Sequence, residues 1–199
     1  MELVIRLEEE KDYQKVEFLT REAFWDLYGP GCDEHLIVHN LRKSPAFVKE
    51  LSYVICDRKQ IIGNVIYTLA KVRSENKQEH EVLCMGPISV LPEYQRKGIG
   101  SRLLEETLKK AKDMGYKGVV IFGNPRYYGR FGFENAKKYN IQTDTGENFD
   151  EFMALELQEE GLGGIQGRFH IDKAFEVNEE ELLAFEKGFP YKEKNFREK

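Results

Sequence analysis

The segment Val90 to Ser101, VLPEYQRKGIGS, concentrates residues able to hold a phosphate through the backbone. Val90 and Leu91 close an apolar run, and Pro92 cannot donate the next ladder hydrogen bond, so a strand must end there. Gly98 and Gly100 flank Ile99, where an apolar stripe of helical spacing begins. Glycine leaves the main chain bare, so N–H groups come close to a ligand. The first turn of a helix adds unpaired N–H donors and a partial positive charge, which suits phosphate or pyrophosphate. Arg96, Lys97 and Arg102 add cationic charge. The plainer alternative is an ordinary glycine-containing turn.

Two well-known phosphate loops fit poorly. No GxxxxGK[ST] run is present, and the dinucleotide pattern GxGxxG fails because Leu103 stands at its third glycine. The acidic residue expected about 20 positions further on is missing too, since Val119 to Asn124 reads VVIFGN. What remains is Q-x-x-G-x-G, Gln95 to Gly100, after a strand and before a helix. This resembles the acyl-CoA pyrophosphate loop of the GNAT acetyltransferase superfamily. A second match follows the next strand: FGNPRYYGRFGF, Phe122 to Phe133, in which Asn124 can cap a short helix opened by Pro125. Tyr128 stands four residues before Gly132 and resembles the tyrosine of the family's Y-x-x-x-G-F ending. The resemblance spans about Leu3 to Leu157 and includes GCDEH (31–35) and MGPISVLPEYQRKGIG (85–100).

The resemblance implies an α/β (α+β) fold with a mixed, mostly antiparallel, splayed sheet flanked by helices, and acetyl-CoA as cosubstrate. It implies an acetyltransferase in which a primary amine attacks the thioester directly. The residues it assigns to the coenzyme are Ile88, Ser89 and Val90 on the fourth strand, then Gln95, Arg96, Lys97, Gly98, Ile99, Gly100 and Ser101, with Asn124 and Tyr128. A main-chain N–H at Ile88 to Val90 would stabilise the oxyanion, and Tyr128 would protonate the departing thiolate as the catalytic acid. Pro87 would interrupt regular pairing there. No spacing picks out a general base: Glu22, Glu34 and Glu81 are candidates by region, and a water chain would serve instead. The competing readings are a non-catalytic acyl-CoA-binding or regulatory module and a different nucleotide-binding α/β enzyme.

Other constellations carry less. His35 and His39 stand four apart, a metal-compatible spacing, but Glu34 precedes rather than follows the first histidine and no third ligand is evident, so a solvated or hydrogen-bonded pair is expected and no metal. Cys84 lacks a spaced histidine partner and reads as a buried strand thiol. Trp25 and Tyr28 fall off the packed face of the first helix and are candidates to line a substrate cleft.

The chain has 199 residues, 41% hydrophobic and 33% charged, a soluble globular balance. A net charge of −5 argues against a nucleic-acid partner. No apolar run approaches the ~20 residues needed to span a bilayer, and the acidic N-terminal region lacks a signal-peptide layout. Three cysteines without a CxxC pair read as reduced thiols, so a cytoplasmic location is expected. The expected partner is a small-molecule or peptide amine, without a membrane; a homodimer is compatible with the composition.

The elements that must position these residues follow from periodicity. Strands are expected at Leu3 to Leu7, Leu51 to Cys56, Ile61 to Val72, Val82 to Val90, Lys117 to Phe122, Phe133 to about Gln142, and Phe152 to Leu157. Helices are expected from Asp12 as cap through Leu27, from Asp33 to Leu41, and from Ile99 to Met114. The strand-helix-strand unit from Val82 to Phe122 predicts two neighbouring parallel strands. Four glycines in 161–167 mark a boundary, dividing a domain of residues 1–157 from an extension of 158–199 that packs on it. A strand within Arg168 to Val177 and a helix from Glu179 to Lys187, capped by Asn178, complete the expectation.

Overall fold

The computed structural model describes residues 1–195; Phe196 to Lys199, the end of the charged tail, lie outside the described residues. In chain order the strands and helices are β1 (Leu3–Leu7), α1 (Tyr13–Phe24), α2 (Glu34–Leu41), β2 (Tyr53–Asp57), β3 (Gln60–Arg73), β4 (Glu79–Val90), α3 (Ile99–Asp113), β5 (Gly118–Phe122), α4 (Pro125–Tyr128), β6 (Glu134–Asn135), β7 (Ile141–Gln142), β8 (Phe152–Glu156), β9 (Gly167–His170) and α5 (Glu179–Glu186). The fold is mixed α/β, with a mostly antiparallel open sheet flanked by helices. The chain forms two compact units, and β3 and β4 contribute residues to both.

The first unit comprises Met1–Ile66, Pro87–Leu104 and the chain from Lys173 onward. In it β1 pairs antiparallel with β2, and β2 with the first half of β3 across the tight turn at 58–59. Val16 and Leu19 of α1 and Leu36, Val38 and Leu41 of α2 are buried. A buried ion network joins these helices: Arg42 reaches Glu8 at 2.5 Å and Glu17 at 2.8 Å, and Ser52 Oγ donates to Glu8 at 2.9 Å. The arginine is bearable inside because both its partners are anionic and each carboxylate is itself hydrogen-bonded.

The second unit comprises Tyr67–Gly86 and Glu105–Asp172. There β4 and β5 are parallel neighbours, Leu83 opposite Val119 and Cys84 opposite Val120, as the strand-helix-strand unit predicts. β5 continues into antiparallel β8, and β6 lies against β8. The far end of β3 pairs with β9, which runs parallel to β7. Residues 158–172 belong to this unit, whereas the terminal segment from Lys173 belongs to the first.

Several expected elements differ. Asp12 does not cap α1 with its side chain; it closes a capping box on the preceding 3-10 turn, accepting the Glu9 N–H, and pairs with Arg6 at 2.6 Å. That helix stops at Phe24, so Leu27 is exposed rather than on the packed stripe. The strand expected from Phe133 to Gln142 is broken into two-residue pieces by a 3-10 turn at Ala136–Tyr139, whose N–H the Asn135 side chain caps and which Asn140 ends at φ 56°. The strand expected within Arg168 to Val177 is confined to its first residues, since Lys173–Phe175 turns as a 3-10 helix. Asn178 caps α5 as expected, accepting the Glu181 N–H at 2.8 Å.

Candidate active site

In the first unit, the end of β4 leads into the glycine loop. Leu91 N–H donates to Ile62 O at 2.9 Å, after which Pro92–Tyr94 forms a 3-10 turn. Gln95 turns its side chain back on the strand, donating to Val90 O at 3.0 Å, and Lys97 Nζ donates to Glu93 O at 2.7 Å. The loop is thus braced by its own side chains, and Gln95 and Lys97 spend donors on it. Arg96 takes a positive φ of 59° and Gly98 one of 79°. An ideal Cβ on Gly98 would meet no heavy atom within 4 Å, so its surface is open to a ligand. Gln95, Arg96, Lys97 and Gly98 are exposed, Gly100 and Ser101 half-buried, and Ile99 buried as the first knob of α3. The rest of the α3 stripe, Leu103, Leu104, Leu108 and Ala111, is buried too, and this holds the first turn of the helix fixed.

Ile88 and Val90 are half-buried and alternate with Ser89, which faces inward. Ser89 Oγ donates to Thr20 Oγ1 at 3.1 Å, and Thr20 passes the bond to Asn64 Oδ1 at 3.3 Å. Gly63 lets the strands approach here: a Cβ would stand 2.8 Å from Ser89 O. Neither Gly63 nor this buried relay was singled out in the sequence. A lone glycine inside an apolar strand, which signals close backbone approach, could have pointed to the first.

In the second unit, Asn124 Oδ1 accepts the Arg126 N–H at 2.9 Å and caps α4, while Gly132 ends the following 3-10 turn at φ 89°. Tyr128 is half-buried, its ring edge-on to Tyr127 at 5.0 Å and to buried Phe133 at 5.7 Å. Its ring lies over Gly123, where a Cβ would fall 2.2 Å from a ring carbon. Gly123 is therefore the seat that fixes Tyr128; the glycine directly before Asn-Pro was its only trace in the sequence.

The remaining candidates divide clearly. His35 and His39 each meet a carboxylate, Glu186 at 2.7 Å and Glu17 at 2.8 Å, and among the described residues no group of ligands could hold a metal. Burial holds the His35 imidazole down at about 4, so it is neutral near pH 7. Cys84 is fully buried and its thiol is pushed up to about 12 by desolvation, which removes it as a nucleophile. Trp25 is not a cleft residue: it is buried, its Nε1 donates to Glu193 O at 2.9 Å, and the Arg21 guanidinium lies 4.2 Å from its ring centre. Tyr28 is 80% exposed. Glu34 is half-buried, and burial pushes its carboxyl up to about 7.

The first unit thus carries a glycine loop between a strand and a long helix, and the second a Pro-started turn with a seated tyrosine, on a mixed α/β frame. A model of the acetyltransferase (GNAT) domain matches residues 4–136, well over half of the chain, and the chain belongs to that family. The uncharacterized N-acetyltransferase YhbS of Escherichia coli K12 is 28% identical over 165 residues, covering 83% of this chain and 93% of that protein. The crystal structure of Escherichia coli YhbS in complex with CoA superposes with a TM-score of 0.77 at 27% identity, covering 88% of this chain and 92% of that one. A GNAT family acetyltransferase from Brucella melitensis, in complex with acetyl-CoA, gives 0.70 at 27% identity, covering 87% and 98%. Among the described residues no helix is long and apolar enough to cross a membrane.

Proposed function

We propose that this protein moves the acetyl group of acetyl-CoA to a primary amine by direct attack on the thioester. The observation that carries this reading is the turn from β4 into α3, where Arg96 and Gly98 take positive φ and the surface above Gly98 is open. Similar proteins crystallised with CoA and acetyl-CoA support it. In this reading the N–H groups of Arg96 to Ser101 hold the pyrophosphate, with Gln95 shaping the loop. The main chain of Ile88 to Val90 guides the acyl arm and supplies the oxyanion donor. Asn124 fixes the α4 turn beside the coenzyme, and the Tyr128 hydroxyl gives its proton to the departing thiolate. Residues 1–157 form the acetyltransferase domain in this reading, and residues 158–199 an extension packed on it; the protein works in the cytoplasm.

Calorimetry with CoA and acetyl-CoA, followed by free-thiol release with a panel of amines, tests the reading. Binding of both coenzymes and amine-dependent thiol release are expected. Absence of CoA binding would refute it, and binding without thiol release on any amine would reduce the protein to an acyl-CoA-binding module.

A further inference from the structure

The proposed transfer leaves the chemistry of the acceptor open, and the parting of two strands in the second unit bears on it. β4 and β5 pair in parallel only at Leu83–Val119 and Cys84–Val120. Past that point β5 runs on through Ile121 and Phe122, paired with β8. Carried forward, the same register sets Phe122 level with Gly86, which has no side chain, on the strand that continues to Ile88. The residue after Phe122 is Gly123, the seat of Tyr128. Gly123 N–H still donates to Glu151 O at 2.8 Å, so the ladder persists there, and successive residues of a strand point to opposite faces. Tyr128 therefore covers one face at this end of β5, and Phe122 presents its ring on the other.

Phe122 is no stray apolar residue. It is 48% exposed beside the gap, yet three other rings hold it. Phe152, opposite it in register, lies at 5.1 Å, Phe149 is stacked on it at 6.1 Å, and Phe169 is tilted at 6.3 Å. Phe152 and Phe169 are buried, whereas Phe149 is 42% exposed. Single exposed apolar residues are ordinary, but two stacked open rings backed by buried ones form a rigid platform for a flat apolar body.

The charge around the rings favours a cation. Phe149 lines a hollow with Asn148 and Asp150, on whose wall Lys138 is paired with Glu134 and Lys137 is exposed. Between 134 and 151 stand Glu134, Asp144, Glu147, Asp150 and Glu151 against Lys137 and Lys138, and Arg168 lies against Gly146. Five carboxylates against three cations leave a net −2, which draws an ammonium group towards the rings. A longer acyl chain would also cover the rings, but it gains nothing from the carboxylates.

Resting on the transferase reading above, we propose that the acceptor is an arylalkylamine, whose aromatic ring stacks on Phe122 and Phe149 while its nitrogen enters the gap between β4 and β5. The neutral nitrogen forms the C–N bond at the thioester carbon, and the C–S bond breaks with its electrons on the sulfur. The sulfur takes the Tyr128 proton, the nitrogen gives its own to solvent, and Tyr128 is reprotonated from solvent.

The test uses the full-length protein saturated with acetyl-CoA. The acceptors are 2-phenylethylamine, tyramine, spermidine and 2-cyclohexylethylamine, which has the length and charge of the first without its π-system. Turnover of the two aryl amines should exceed that of the cyclohexyl amine about two- to tenfold in kcat/KM, and that of spermidine by more. Phe122→Leu should abolish the aryl preference, chiefly through KM, with CoA affinity unchanged. Phe149→Leu, at an exposed position, should lose part of it and guards against a folding defect in the first variant. Equal kcat/KM for aryl and cyclohexyl amines, or a preference that survives both substitutions, overturns the proposal. So does faster turnover with hexanoyl-CoA than with acetyl-CoA that both variants lose, which would make the rings a wall for the acyl chain. NMR of ring-labelled phenylalanine, assigned by the two variants, decides alone if none of the four amines turns over. Shifts at Phe122 and Phe149 on adding 2-phenylethylamine, larger than with 2-cyclohexylethylamine, support the proposal, and their absence sinks it. Failure of the wild type to bind CoA would strike the transferase reading and this one together; CoA binding without an aryl preference strikes only this inference.

Discussion

Replacing Gly98 by valine separates a ligand-bearing loop from a mere turn. Gly98 has φ 79°, a conformation that costs an L-residue roughly 1–2 kcal/mol. The loss of unfolded-state freedom on replacing glycine returns about 0.4–1 kcal/mol. No atom lies within 4 Å of the new Cβ, so no clash adds to the difference. The free protein should therefore lose only about 1 kcal/mol, which for a chain of this size lowers Tm by about 2–4 °C. The coenzyme should suffer more, because the side chain fills the open space where the pyrophosphate is proposed to lie. A loss of at least ~1.4 kcal/mol, tenfold in Kd, is expected by calorimetry with CoA. Gly129→Ala is the control: it sits at φ −57° and is equally open, so it should keep affinity and stability alike. A Gly98→Val protein with lowered Tm and unchanged Kd would show that the glycine serves the turn alone and refute the pyrophosphate assignment.

Tyr128→Phe keeps the ring on its Gly123 seat and deletes the hydroxyl, so turnover should fall by roughly ten- to a thousandfold with little change in CoA binding; equal turnover, with chemistry rate-limiting, would make Tyr128 a packing residue, and Tyr127→Phe should be much milder. Glu34, whose folded carboxyl lies near 7 and whose unfolded one lies near 4.5, adds stability below about pH 4.5 that is lost as pH rises towards 7. Glu34→Gln should accordingly be more stable than wild type above pH 7, by up to about 3 kcal/mol at roughly 1.4 kcal/mol per pH unit; denaturant curves at pH 5 and pH 8 showing no widening gap would contradict this. Gly63→Ala brings a methyl to 2.8 Å from Ser89 O and should cost about 1–3 kcal/mol, with loss of coenzyme affinity; a neutral result in urea unfolding would mean that the strands separate there without penalty.

What could be read in advance was local. The β4–α3 turn, the Asn124 cap and the α3 stripe all depend on residues within one or two turns of each other, and each is found as expected. What escaped was set by distant partners. Asp12 resembles a helix cap in any short window, but Arg6 and the Glu9 N–H claim its carboxylate. The apolar spacing after Phe133 suits a strand, yet Asn135 and Asn140 supply a cap and a left-handed stop that cut it in two. Trp25 looked free because the segment that covers it arrives 168 residues later.

The closing segment of the chain has a meaning for synthesis. Arg21 lies buried in α1, forked onto Glu186 at 2.8 to 3.1 Å and donating to Pro190 O, while Lys192 reaches Glu22 and the Asn195 N–H reaches Asp26. Glu186 follows Arg21 by 165 residues. At about 5–20 residues per second on the ribosome, roughly 10–30 seconds pass between the two. Throughout that interval the guanidinium lacks Glu186 and has only its neighbour Glu22 as counter-ion, so burying it costs more than in the finished unit. The first unit thus completes the surroundings of Arg21 only once α5 has been made, and a chain that stops short of α5 leaves the guanidinium with Glu22 alone, 3.7 Å away, where the folded protein has a forked ion pair to Glu186.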